Sequence, residues 1–316
     1  MSEMQDPKKQ EPDTHHIYQS LYTNLVIACA KGVGAFISGS GAMLAETLHS
    51  FSDCANQLLL LLGVKRSQKA PDEHFPLGYG RSLYFWSFMV ALLLFSGGGV
   101  FSIYEGIHKI MHPEPLTGSL TLSFIILVAS LLLEGKATFD NIKEMKKRRG
   151  EESLWSYLKS TKDSDLVVIF GENAAATLGL AVAALSLTMA SITGDGRWDG
   201  VGSLSVGIIL IAVAVFLAKE VQSLLLGESA DPKIVRQVKD RIEIEEKVLS
   251  VHEIITLQQG PGEVLLTCKI DCDPDLTFVE VCHLINKVEV DLRQAMPELK
   301  WIFIEPDFIE KELANA

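Results

Sequence analysis

Met43-Leu-Ala-Glu46-Thr-Leu-His49-Ser-Phe-Ser-Asp53-Cys-Ala-Asn56-Gln57 sets an imidazole, two carboxylates and two amides inside an apolar stretch of about 42–64. A helix needs roughly 20 apolar residues to cross about 30 Å of hydrocarbon, so this stretch is long enough to span. His49 and Asp53 are four residues apart and share one helix face. Asn56 continues that stripe one turn on. Ionisable groups in a span are expensive and mark a functional site by default. The plainer reading is that His49 and Asp53 pair only to lock two helices.

A second stretch shifts the balance. Phe170-Gly171-Glu172-Asn173-Ala174-Ala175-Ala176-Thr177-Leu178-Gly179 places Glu172 well inside another apolar run. Ala176, Gly179 and Ala183 form a small-residue face that admits a neighbouring helix closely. Two carboxylates brought together repel unless a cation or a shared proton lies between them. An imidazole and carboxylates between two helices suit a divalent transition metal: zinc first, with Mn²⁺, Fe²⁺ or Co²⁺ open to the same donors. Such a metal needs a neutral His49 and ionised carboxylates, so binding releases protons. Glu134, beside Gly135 and Lys136, is read as a further ligand or as a partner of Lys136 or of a neighbouring span. Glu46, Asp199, Glu105 and His108 are read as interfacial anchors, with Asp199 also placed to line an outer vestibule.

The rest of the chain fits this centre. It has 316 residues, 48% hydrophobic, with a net charge of −12 and a mean hydropathy of +0.24. That excludes a disordered chain, a disulfide scaffold and a basic nucleic-acid binder. Six apolar stretches lie at about 17–39, 42–64, 82–110, 118–139, 164–191 and 199–226. Lys65, Arg66, Lys69 and Arg81 crowd one loop, and Lys143, Lys146, Lys147, Arg148, Arg149, Lys159 and Lys162 another; the opposite loops carry almost none. Positive charge stays inside, so six spans with both termini cytoplasmic are expected. Residues 1–16 read as a polar cytoplasmic tail, 17–227 as the membrane domain and 228–316 as a cytoplasmic α+β domain. No transit peptide is evident, which favours a bacterial inner membrane.

In that last part, Asp231-Pro232 opens a helix and Gly260-Pro261-Gly262 turns between two strands. Val264, Leu266, Cys268 and Ile270 alternate on one face of the second strand. Thr277 and Glu280 form a capping box. A helix carrying Val281, Ile285, Val288 and Leu292 stops at Pro297, and a strand follows from Leu299 to Glu305. The order α-β-β-α-β predicts an open sheet with helices on one face. A second copy of so small a domain would usefully cover that sheet. Five Cys at irregular spacings do not read as disulfides.

These residues resemble the cation diffusion facilitator family of zinc-transporting metal/proton antiporters. The likeness covers the six spans, His49-x-x-x-Asp53, the loop Asp72-Glu-His-Phe-Pro76-Leu-Gly78-Tyr79-Gly80-Arg81 and the αββαβ, ferredoxin-like and metallochaperone-like tail. The zinc transporter 9 branch is similar in Pro76-Leu-Gly78-Tyr79-Gly80-Arg81, His112-Pro-Glu-Pro115, Leu133-Glu134-Gly135, Glu172-Asn-Ala-Ala175, Ser191-Ile-Thr-Gly194, Ser203-Leu-Ser-Val-Gly207 and Leu225-Leu-Gly227. The family usually has His-x-x-x-Asp in the fifth span; Glu172 stands for that His and Ala176 for that Asp. The resemblance thus implies three ligands, His49, Asp53 and Glu172, with Asn56, water, Asn173 or Glu134 as the fourth. Asn173 adjoins Glu172 and points about 100° away on an ideal helix. Phe75 and Tyr79 stand where the family's loop has two His, which argues against a strong metal site there. A family Asp after the sixth span is Gly227, so its interlock with Arg81 is lost or passes to Glu228.

The expected protein is a homodimeric Zn²⁺/H⁺ antiporter joined through its tail, exporting metal from the cytoplasm and holding no resident cofactor. Its partners are the metal ion, protons and the lipid bilayer, with no nucleic acid. Transport of Mn²⁺, Fe²⁺ or Co²⁺ is the alternative, as is a non-transporting metal-responsive scaffold, for which Ala176 is the best argument. A membrane metallohydrolase is disfavoured, because no His-Glu-x-x-His helix or nucleophile–base pair accompanies the carboxylates.

Overall fold

A computed structural model describes residues 15–113, 120–150, 152–161 and 164–307. Most of the expected 1–16 tail, and the end of the His112–Pro115 motif, lie outside the described residues. The apolar stretches become long helices: α1 (His15–Ser38), α2 (Gly41–Ser67), α3 (Ser82–Leu93) continuing through a π-helical turn (Leu94–Val100) into α4 (Phe101–Met111), and α5 (Leu120–Arg149). After the short α6 (Leu154–Ser160) come α7 (Ser164–Thr193) and α8 (Arg197–Leu226). Among the described residues, Ser82–Met111, Leu166–Thr193 and Arg197–Leu226 are long and apolar enough to cross a membrane, and Asn24–Ser38 is a shorter apolar helix. In α2 the polar residues quoted above dilute an otherwise apolar helix. Phe36, Leu185 and Ile192 leave most of their surface uncovered, as lipid-facing side chains do.

Cα packing divides the chain into two units, each with segments of several of these helices. The first takes residues to Leu61, Leu92–Thr138 and Glu172–Ala214. In it the backbones of α4 and the π turn pack directly against α8. A Cβ on Gly106 would run into the Leu204 amide nitrogen, and one on Gly207 would meet the Gly99 carbonyl at 2.9 Å. Ser203 donates across this contact to the Ser102 carbonyl at 2.9 Å. Small residues here let two backbones touch, the packing that apolar surroundings favour because no hydrophobic force sorts helix from lipid.

The second unit takes Leu62–Ala91, Phe139–Gly171 and the described residues from Val215 on. The Trp155 ring stacks on Phe216 at 5.3 Å. Gly227 closes α8 at φ +108°, a conformation disfavoured for a side chain, and it lies against Leu257 and Arg81. Beyond it, α9 (Pro232–Glu243), β1 (Val248–Gly260), β2 (Glu263–Cys272), α10 (Phe278–Ala295) and β3 (Leu299–Pro306) follow the anticipated order. Asp231 caps α9 through the Lys233 amide, with Pro232 in the first turn. The sheet order is β1-β2-β3, antiparallel then parallel. Val264, Leu266, Cys268 and Ile270 are all buried, packed in one core with Val238 and Ile242 of α9 and Leu284, Val288 and Leu292 of α10. The opposite face carries the rows Leu257–Leu265–Trp301 and Ile255–Thr267–Phe303.

Candidate metal site

Everything in this site belongs to the first unit. Gly39, at φ +67°, ends α1, and the Ser40 hydroxyl caps α2 by accepting the Met43 amide at 3.1 Å. Asp199, in the first turn of α8, is 1% exposed. Its carboxylate accepts the Ser40 hydroxyl at 2.5 Å and the Gly41 and Ala42 amides at 2.5 and 3.3 Å. The Lys109 ammonium reaches it at 3.0 Å. Asp199 is therefore a buried anchor on the amino end of α2, where a negative charge meets the helix dipole. The anchor expected at this position is thus held by the start of α2 and by Lys109.

Along α2 the polar face is buried. His49 and Asn56 are fully so. His49 Nδ1 lies 3.6 Å from Asp53 Oδ1, across one helical turn. Two donors on one tetrahedral zinc, at about 2.0–2.1 Å each, stand roughly 3.3 Å apart. The pair is thus near the spacing a shared metal imposes. Neither His49 nitrogen, nor Asp53 Oδ1, nor Asn56 Oδ1 has a hydrogen-bond partner among the described residues. Buried polar atoms are normally paired, so each such orphan asks for water or an ion.

One turn on, Asn56 Nδ2 donates to Glu172 Oε1 at 2.6 Å. The two expected positions on different helices are therefore in contact, but through each other. Among the described residues, no three His, Cys, Asp or Glu side chains converge closely enough to hold a metal. Asp53 does lie within electrostatic reach of Glu172 and Glu134. Asn173 engages α5 through its backbone: its carbonyl accepts the Thr138 hydroxyl at 2.9 Å, and Thr138 also bonds Thr177 at 2.7 Å. Ala176, in the place of the family's Asp, is 2% exposed.

Two features differ from the sequence reading. Glu46, read as an interfacial anchor, is fully buried. It pairs at 3.4 Å with Lys31 of α1, also fully buried. Lys31 itself carries no mark of burial in the sequence, since a single Lys in an apolar helix can equally extend to the interface. Gly32 and Gly34 beside it were the available signal of close packing. Lys31, on the neighbouring α1, lies within electrostatic reach of Glu134.

The loop before α3 is organised without His ligands. Asp72 accepts the Tyr79 hydroxyl at 2.5 Å and the amides of His74 and Phe75 at 2.9 and 2.8 Å. The Tyr79 hydroxyl, then the backbone amides, hold its carboxyl below the usual range, and Tyr79 is pushed up in return. In the sheet domain, burial pushes the Cys268 thiol up to about 11, which suits a packed thiol rather than a ligand.

Comparison with known proteins shows the family. A profile described as the cation efflux transmembrane domain matches residues 17–226. The chain is 33% identical over 277 residues to the proton-coupled zinc antiporter SLC30A9, mitochondrial, of Xenopus laevis, covering 85% of this chain and 49% of that protein. It is 30% identical over 254 residues to metal tolerance protein C4 of Arabidopsis thaliana, covering 80% and 55%. It is 26% identical over 271 residues to a cadmium, cobalt and zinc/H(+)-K(+) antiporter of Bacillus velezensis, covering 83% and 79%. The chain spans about half the length of the animal relatives it matches. With a membrane-domain profile that covers more than half of it, the chain belongs to the cation efflux, or cation diffusion facilitator, family, near the zinc transporter 9 branch.

Proposed function

We propose that this protein is a Zn²⁺/H⁺ antiporter that exports metal from the cytoplasm through His49, Asp53 and Glu172. The observation that carries the reading is the fully buried His49, both nitrogens unsatisfied, 3.6 Å from the unsatisfied Asp53 Oδ1. Zinc as the substrate and protons as the counter-ion follow the names of the relatives. Zinc would enter between His49 and Asp53. Glu172 would join them by leaving Asn56, through a rotation of its side chain or of α7. Rocking of the helices would then expose the metal to the far side, where protons replace it. Asn56 supplies a fourth donor through its unsatisfied Oδ1, ahead of Asn173, whose carbonyl is already engaged by α5.

The reading includes six spans with both termini cytoplasmic, a membrane domain at 17–227, a ferredoxin-like domain at 228–316, and no enzymatic role. A homodimer is supported by the uncovered sheet face, where Ile255 and Phe303 are 51% and 58% exposed. A bacterial inner membrane is carried over from the sequence reading, and the SLC30A9 relatives are mitochondrial by name. The second reading, a metal-responsive scaffold without transport, is favoured by Ala176 and by the separation of Glu172 from His49.

The test is metal flux into proteoliposomes with and without a proton gradient, for wild type, Asp53→Ala and Glu172→Ala, offering Zn²⁺, Mn²⁺, Fe²⁺ and Co²⁺ in turn. Gradient-dependent zinc flux, lost in both variants, is the expected result. Tight binding with no flux of any of the four would replace transport with the scaffold reading. Full-rate transport by a folded Asp53→Ala protein would sink the site.

A further inference from the structure

One buried cation in the first unit, Lys31, is not itself a metal ligand yet lies beside the candidate ligands. Lys31 donates to Ser50 Oγ at 2.8 Å and to Glu46 Oε2 at 3.4 Å, so two of its three N–H groups are engaged by α2. Glu46 and Ser50 lie one turn apart, on the stripe beside His49 and Asp53. The other Glu46 oxygen, Oε1, has no hydrogen-bond partner among the described residues. It sits where a Cβ on Gly179 would fall, so α7 closes over the pair. A simple lock between α1 and α2 would end there. Here the ammonium also acts electrostatically on His49, Asp53 and Glu134. A buried Lys⁺ facing several carboxylates is a fixed part of the field any incoming cation meets, and water screens it little.

We propose that Lys31 is a tethered counter-cation of the transport site: its charge opposes the bound divalent metal, holding affinity low enough for release. The proposal rests on the transport reading above and assigns a positioning role to the pair Lys31–Glu46. Mutual repulsion of like charges weakens binding and speeds exit, as conduction through a binding site requires. Neutralising Lys31 alone should then tighten zinc and slow its exchange. Neutralising Glu46 alone leaves the ammonium unopposed and should loosen zinc.

The experiment measures Zn²⁺ affinity by calorimetry on the full chain in detergent, and Zn²⁺ flux in proteoliposomes, for Lys31→Gln, Lys31→Arg, Glu46→Gln and the double variant Lys31→Gln/Glu46→Gln. The expected result is opposite shifts, each on the order of tenfold: Kd falls in Lys31→Gln and rises in Glu46→Gln. The double variant falls between them. In flux, Lys31→Gln lowers KM and Vmax together, and Lys31→Arg keeps both near wild type. A lock without an electrostatic role would weaken binding in both single variants, and that outcome overturns the proposal. So does an unchanged Lys31→Gln. If Lys31→Gln does not fold, Glu46→Gln against the neutral pair carries the same comparison. Wild type that binds zinc but moves none overturns the transport reading, while the affinity series still decides Lys31. Wild type that binds no zinc overturns both.

Discussion

Asn56 and Glu172 meet at 2.6 Å across two helices, and that one bond sets where the carboxylate can go. Asn56→Ala removes the unsatisfied Oδ1 that the proposed site takes as its fourth donor. Loss of a donor or of a group that fixes one typically weakens metal affinity by about 10–100-fold, and calorimetry with Zn²⁺ should show a fall in that range. Unchanged affinity would mean that Asn56 does not bind the metal. Gly179 is the second decisive residue, because a Cβ there would displace the Glu46 carboxylate, which is paired with Lys31. Gly179→Ala should lower thermal stability by about 1–3 kcal/mol through overpacking. The same change at Gly135, where a Cβ meets nothing within 4 Å, should cause no loss. Equal melting temperatures for the two would contradict the close approach of α7 to Glu46.

The helices and strands differ in what holds them. The contact of α4 with α8 is backbone on backbone, with Gly106 facing the amide of Leu204. A methyl group there cannot be accommodated by a side-chain shift, so Gly106→Ala should be more destabilising than Gly98→Ala, which meets the side-chain ends of Leu210 and Leu94. Thermal melts in one detergent would rank them, and the reverse order would reject this packing. In the sheet domain α10 begins on a closed capping box, with Thr277 and Glu280 bonded in both directions. The Thr277 amide, then its hydroxyl, hold the Glu280 carboxyl below its ordinary value. A depressed carboxyl stabilises above the unfolded pKa of about 4.3 and loses that contribution as pH falls through the folded value. Hydrogen exchange should therefore show the first turn of α10 fraying in that acid window, and Thr277→Ala should cost about 1 kcal/mol at neutral pH. Equal protection of that turn in Thr277→Ala and wild type would remove the cap from the account.

The molecule as a whole joins a polar seam within apolar helices to an α+β domain whose sheet is covered on one side. The uncovered rows, Ile255–Thr267–Phe303 and Leu257–Leu265–Trp301, would give a second copy an apolar surface to bury. Light scattering corrected for detergent should return a protein mass twice that of the 34.7 kDa chain. Introducing charge with Phe303→Asp and Ile255→Asp should halve it. A dimer that survives both changes would move the interface off this face.

The amino-acid sequence by itself determined the elements and the family. Apolar runs of fixed length become the long helices, alternation in Val264–Ile270 becomes a half-buried strand, and Thr277-x-x-Glu280 starts a helix, because these depend on neighbours along the chain. That His49 and Asp53 share a face one turn apart was legible for the same reason. The partners of those groups were not legible. That Asn56 holds Glu172, that Asp199 anchors the amino end of α2, and that Lys31 answers Glu46 are choices among distant residues. A buried charge is stable only beside its counter-charge, and periodicity cannot say which helix brings it. The packing of α1, α2, α7 and α8 decides that.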